Sequence, residues 1–320
     1  MTTGSGLGHG RPDPSLDAIM SERRRLINLA YRLLGSLAEA EDAVQETYTR
    51  WYAMSAEQRQ AIESPGGWLT TVASRICLDL LGSARARREL YVGEWLPEPL
   101  PAPAEQPGAA AVDPADRVTL DESVTMAFLV VLETMTPAER VAFVLHDVFR
   151  FPFAEVAGIV GRTPAACRQL ASSARRRVRT SGPPATPAAQ RTIAVRNAVI
   201  VRDFKAAWEA KDIGALIGLL DPGATAVADG GGLVSAALRP VEGGEQIARY
   251  LADVLGRTPR VTFTERTVNG QPGLIAELDG AVATVFAFGI ADGQITRIWI
   301  IRNPNKLTRW ANQGADNSKK

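Results

Sequence analysis

Two cysteines and two histidines are all that the 320 residues contain of the side chains that most often build redox and metal centres. Cys77 and Cys167 stand far apart with no CxxC spacing, and His9 and His146 have no neighbouring ligand set, so neither a disulfide framework nor a zinc site can be assembled. No metal, no cofactor and no catalytic residue is expected. Long apolar runs are missing as well: nothing reaches the ~18 residues of a membrane span, and the polar, Gly-rich start from Met1 to Arg11 lacks the apolar stretch of a secretory signal. The expected location is the cytoplasm, with no membrane partner. A third absence is local. From Val156 to Arg202 there is no acidic residue, yet Arg162, Arg168, Arg175, Arg176, Arg177, Arg179, Arg191, Arg196 and Arg202 all fall there. That block is hidden by a balanced total of 36 Lys plus Arg against 35 Asp plus Glu, and it points to a polyanion.

What is present describes a folded, multidomain chain: 46% hydrophobic residues, 22% charged residues, and a length suited to two or three cores. Proline divides it. Pro97, Pro99, Pro101, Pro103, Pro107 and Pro114 mark one linker, and Ser181 to Gln190 (SGPPATPAAQ) marks a second, because proline fixes φ and supplies no amide donor. The modules that result are 15–90, 115–180 and 191–310, with 91–114 between the first two.

In the first module Leu26, Leu29, Ala30 and Leu33 recur at helical spacing, as do Leu37, Val44, Tyr48 and Trp51 after Gly35-Ser36. A third helix opens at Ser64-Pro65. In the second module Thr136-Pro137-Ala138-Glu139 is a capping box. Two short helices follow, near 153–160 and 164–178, the second capped by Thr163. The third module changes period: helices over 192–210, 213–220 and 245–255 precede alternating runs at 261–268, 274–278, 282–288 and 295–301, with hairpin signals at Asp279-Gly280 and Asp292-Gly293. The fold class is therefore two all-α modules, a helical bundle and a helix-turn-helix, followed by an α+β domain with a curved antiparallel sheet. Trp208, Phe263, Phe286, Phe288 and Trp299 are expected in that domain's core or pocket.

Two patterns carry function. A capped helix bearing Arg168, Arg175, Arg176 and Arg177 suits a helix-turn-helix whose first turn reaches base edges while later arginines reach phosphates. A helical hairpin with a basic solvent face is the plainer alternative. Upstream, Glu39, Asp42 and Glu46 share one helix face opposite Val44, Tyr48 and Trp51, and such a face is either solvated or attracts a basic partner.

Together, Ala40 to Tyr48 (AEDAVQETY), Trp68 to Asp79 (WLTTVASRICLD) and the helix-turn-helix at 137–178 resemble the extracytoplasmic-function (ECF) sigma factors of bacterial RNA polymerase. The resemblance implies core RNA polymerase and promoter DNA as partners. It places Asp42, Gln45, Glu46 and Tyr48 at the polymerase, and Trp68, Arg75, Arg85, Arg87 and Arg88 at the melted minus-ten element. Thr163, Arg168, Gln169, Arg175 and Arg176 fall at the minus-thirty-five element; many members carry a second basic residue near Leu170, which this chain lacks.

The third module resembles the SnoaL-like cone fold. Tyr91 to Pro99 (YVGEWLPEP), Asp229 to Gly232 (DGGG) and Asn303 to Leu307 (NPNKL) match the sigma subgroup carrying such an extension, with Asn305 where many relatives have Asp. The resemblance implies regulation in cis through Trp95, Leu96, Pro97, Asp229, Gly230, Gly231, Gly232, Asn303, Pro304, Lys306 and Leu307, with the cone packed on the first module and the linker. Asp229 is the best acid/base candidate were the cone a cyclase. A small-molecule occupant of the cone, and with it a ligand-sensing helix-turn-helix regulator, stays open as the alternative.

Overall fold

The computed structural model describes residues 14–89, 91–102, 124–179 and 187–310. Helix α1 (Pro14–Leu34) ends at Gly35, whose φ of 72° only glycine adopts without strain and where a Cβ would lie 2.8 Å from the Trp95 ring. Ser36 then caps α2 (Leu37–Tyr52) by accepting the Glu39 amide. A short helix, α3 (Ala56–Gln60), opens on a Ser55/Gln58 capping box that apolar periodicity does not reveal, because none of its residues is buried. Helix α4 (Pro65–Glu89) begins where Ser64-Pro65 predicts.

Helix α5 (Met126–Glu133) leads to α6 (Pro137–Phe143), opened by the Thr136/Glu139 capping box. The chain then widens into a π-helical turn, Val144–Val148, before α7 (Phe153–Val160) and α8 (Pro164–Arg179) form the two short helices read from the sequence. Glu139 also holds α8, accepting from Arg177 at 2.6 Å and from the Thr136 amide at 2.9 Å. Burial opposes its charge, but the Thr136 amide, the Arg177 guanidinium and the Ser173 and Thr136 hydroxyls outweigh it and hold the carboxyl at about 2, below the ordinary 4.5. A depressed carboxylate stabilises the fold above its ordinary pKa and stops doing so as pH falls toward the folded value. The expected result is a loss of roughly 2 kcal/mol between pH 5 and pH 2 that Glu139→Gln abolishes, read from thermal unfolding across that range.

The two helical modules share one core. It runs without a break from Leu26 in α1 through Leu69 and Cys77 in α4 to Val141 in α6 and Ala174 in α8. Arg140, 2% exposed, crosses the junction, donating to the Leu33 carbonyl at 2.8 Å and to Glu133 at 2.7 Å. Arg25 and Arg32 of α1 lie over the rings of Phe151 and Phe149 at 5.5 and 5.6 Å.

The C-terminal part packs α9 (Pro187–Glu209), α10 (Ile213–Leu219) and α11 (Gly244–Arg257) on a six-stranded sheet in the order β2-β1-β6-β5-β4-β3. Its strands are β1 (Leu220–Asp229), β2 (Val241–Glu242), β3 (Val261–Val268), β4 (Gln271–Leu278), β5 (Ala281–Ala291) and β6 (Gln294–Ile301). The sheet is mixed rather than antiparallel throughout, since β1 runs parallel to β6. Pro222-Gly223 interrupts the alternation of β1 and the register shifts there, which hides the strand from a period-two reading. Asn269-Gly270 makes a third turn with both φ angles positive, beside the two read from the sequence.

One sheet face holds Trp208, Phe263, Phe286 and Phe288 against the helices, with the Trp208 indole donating to the Leu251 carbonyl at 2.8 Å. Trp299 departs from that expected group: it lies on the opposite face with Val268, Ile275, Val285 and Ile301. That second face is covered by Leu96 of the linker, Met126 of α5, and Leu307 and Trp310 near the end.

Candidate functional site

On α2, Asp42, Gln45 and Glu46 are exposed and Tyr48 is half-buried, as the amphipathic spacing requires. Asp42, Gln45, Tyr48, Glu41, Val44 and Arg23 border a cleft of about 490 Å³. Burial first, then the neighbouring Tyr52, pushes the Tyr48 hydroxyl up to about 12.

On α4, Trp68 packs against buried Trp51 with ring centroids 5.3 Å apart. Arg75 is exposed and donates to the Gly158 carbonyl of α7 at 3.0 Å, so a residue expected on the minus-ten element here touches the helix-turn-helix. Arg85, Arg87 and Arg88 lie on the C-terminal part of α4, and their side chains fall outside the described residues. On α8, Thr163, Arg168 and Gln169 are exposed in the first turns, and Arg176 is exposed further along. Arg168 sits 5.7 Å from the Phe153 ring, while Arg175 pairs with Asp147 of the π-helical turn at 2.6 Å. Helix α8 thus keeps its N-terminal end open and ties its arginines 175 and 177 into its own module.

Of the eleven residues expected to regulate, Leu96, Gly231 and Lys306 bond directly to one buried carboxylate, that of Asp229. Asp229, at the end of β1 and 0% exposed, accepts from the Tyr91 hydroxyl at 2.7 Å, the Leu96 amide at 2.9 Å, the Gly231 amide at 3.0 Å and the Lys306 ammonium at 2.7 Å. Lys306 also donates to the Leu96 carbonyl and lies 4.1 Å from the Trp95 ring centroid and 5.4 Å from that of Tyr91. Asn303 donates to the Tyr91 oxygen at 2.8 Å and caps the turn Pro304–Lys306, while its amide and that of Arg302 both donate to the Asp229 carbonyl. Burial, reinforced by the Asp229 carboxylate that accepts its proton, raises the Tyr91 pKa well above the ordinary phenol value and keeps the hydroxyl a donor. The glycines make room: a Cβ on Gly231, whose φ is 64°, would lie 2.4 Å from the Asn303 amide nitrogen, and one on Gly230 would lie 2.3 Å from the Val234 carbonyl oxygen. Gly232 backs against Val92 beside a cleft of about 370 Å³ lined by Val92, Leu233, Val234 and Leu238. Pro97 is buried beside Leu96, and Leu307 in the outer-face core.

A second set of contacts escapes sequence reasoning. Asn269 donates to the Tyr31 hydroxyl of α1 at 2.8 Å and exchanges hydrogen bonds with the Leu100 backbone, and Pro101 makes a single antiparallel bridge to Val268. Tyr31 in turn donates to the Glu98 carbonyl at 2.7 Å. The Glu98 carboxylate accepts from the Leu37 amide at 2.7 Å and from Ser36, completing the cap of α2. Burial raises the Glu98 pKa, against the pull of the Leu37 amide, Arg309 and Ser36. The Trp310 indole donates to the Pro99 carbonyl at 2.9 Å, and Arg309 pairs with Glu41 at 2.8 Å. The Asn269-Gly270 pair is the one local signal that marks this junction in the sequence. Among the described residues no cluster of His, Cys, Asp or Glu is arranged for a metal ion, and no helix is long and apolar enough to cross a membrane.

Residues 18–87 match the Sigma-70 region 2 family, and residues 125–178 match the Sigma-70, region 4 family. The chain is 40% identical over 301 residues to the ECF RNA polymerase sigma factor SigJ of Mycobacterium tuberculosis, covering 89% of this chain and 91% of that protein. It is 37% identical over 302 residues to the probable ECF RNA polymerase sigma factor SigI of the same species, covering 92% and 95%. The crystal structure of M. tuberculosis SigJ matches with a TM-score of 0.70 at 36% identity, covering 92% of this chain and 98% of that one. The chain belongs to the ECF RNA polymerase sigma factors, and its C-terminal α+β domain lies beyond the two matched sigma regions. Sigma factors bind core RNA polymerase and direct promoter-dependent initiation; they are transcription regulators, not enzymes. The ligand-sensing helix-turn-helix regulator is not favoured.

Proposed function

We propose that this sigma factor docks on core RNA polymerase through Asp42, Gln45, Glu46 and Tyr48 of α2, reads the melted minus-ten element with α4, and reads the minus-thirty-five element with the N-terminal end of α8. The cone and the linker hold these helices in a set arrangement and so tune initiation in cis. The observation that carries the regulatory part is the Asp229–Lys306 pair, at 2.7 Å, where three segments far apart in the chain meet. We read the cone as non-catalytic. Its one acid/base candidate already accepts four hydrogen bonds, two of them from the linker, and its interior is filled by Trp208 and four phenylalanine rings. The cytoplasm is the matching location, and the reading calls for no small-molecule ligand.

Because Asp42 and Glu46 are exposed, Asp42→Arg with Glu46→Arg reverses the charge of the docking face without disturbing the core. Capture of core polymerase by the double variant is expected to fall by at least tenfold at unchanged circular dichroism. Undiminished capture would overturn the docking face.

A further inference from the structure

We infer that Arg309 is an internal stand-in for a cation of the polymerase: it occupies the Glu41 carboxylate of the docking helix in the free chain and gives it up when the polymerase binds. The inference rests on the docking reading of α2.

One guanidinium nitrogen of Arg309 bridges both carboxylate oxygens of Glu41 at 2.8 Å, and another lies 3.8 Å from Glu98. Glu41 immediately precedes Asp42 and lies one helical turn before Gln45, so the three border the same cleft. A basic partner that settles on Asp42 meets Glu41 at once, and the position that its charge would take is already held by Arg309.

The strength of the contact suits exchange. The side chains of Arg309 and Glu41 are 32% and 36% exposed, and half-exposed pairs are weak. Its neighbours are not weak. The next residue, Trp310, is fully buried and anchored on Pro99, and Lys306, three residues earlier, is anchored on Asp229. The turn Thr308–Trp310 therefore joins an exchangeable ion pair on the docking helix to the buried clamp of the cone domain. Displacement of Arg309 by a polymerase cation loosens the end of the cone, which makes docking and clamp release thermodynamically linked.

The test uses the full-length chain and core polymerase. Amide hydrogen exchange over 301–310 is expected to rise when polymerase binds, and Arg309→Ala, which vacates Glu41, is expected to bind polymerase roughly fivefold more tightly. Arg309→Lys keeps the cation and should bind like the unaltered chain, which separates competition for Glu41 from general loosening of the fold. Unchanged exchange over 301–310 in the bound state, or equal affinity of Arg309→Ala while Asp42→Arg with Glu46→Arg abolishes binding, overturns the inference. If that double variant binds normally, the docking reading itself fails, and the role of Arg309 falls with it.

Discussion

Lys306→Ala is expected to destabilise the chain by about 3 to 5 kcal/mol, the usual cost of leaving a buried carboxylate without its counter-charge. Asp229 is 0% exposed, so water does not replace the missing ammonium, and the hydroxyl and two amides that remain carry no net charge. The same substitution frees the Leu96 carbonyl and removes the cation stacked on Trp95. The linker should therefore come loose from the cone before either helical module unfolds. Urea denaturation measures the loss. Combining Lys306→Met with Asp229→Asn, which removes both charges, should recover most of it. Promoter-dependent transcription should change in Lys306→Ala and return toward normal in the double variant; identical transcription in all three would separate the clamp from regulation.

The second large effect is expected at Arg140. Arg140→Ala removes the guanidinium that ties the Leu33 carbonyl to the Glu133 carboxylate across the shared helical core, and it leaves a cavity in place of a side chain that is 2% exposed. A loss of about 3 to 5 kcal/mol is expected, and Arg140→Met, which refills the volume without the charge, should lose less. The Glu133 side chain is 15% exposed and can regain water, so this site should fall toward the lower end of the range. Denaturation followed by the fluorescence of Trp51 and Trp68 should then report the first module melting ahead of the second. A single unshifted transition would show that Arg140 does not hold the modules together.

How far the sequence discloses this architecture depends on how local each signal is. Ser64-Pro65, Thr136 with Glu139, Thr163 and Asp279-Gly280 act within four residues, and each marks the boundary it should. The acidic face of α2 and the exposed start of α8 follow from helical spacing alone. The Asp229 clamp is different: Asp followed by three glycines reads as a mobile loop until Tyr91, Leu96 and Lys306 are brought to it. Nothing in one sequence announces a contact across 138 or 77 positions. Resemblance to a family pointed to those segments; the physics of a buried carboxylate needing donors explains why they meet. Asn269, Arg309 and Trp310 lie beyond both kinds of signal, apart from the turn that Asn269-Gly270 makes, and Glu98, although inside the Tyr91 to Pro99 motif, has no role that the motif discloses. The π-helical turn at Val144–Val148 and the broken strand β1 escape because each departs from the regular period by which elements are read.

The clamp also has a schedule. One of its contacts joins Arg309 to Glu41 across 268 positions, whereas both helical modules are complete by Arg179. At ribosomal rates of roughly 5 to 20 residues per second, the C-terminal part emerges over roughly 6 to 26 s, and for that interval the nascent chain carries its helical modules without the domain packed against them. Each new molecule therefore passes through a stage in which its helical modules are complete and the Asp229 cluster is not, so translation itself sets the order in which the two are built.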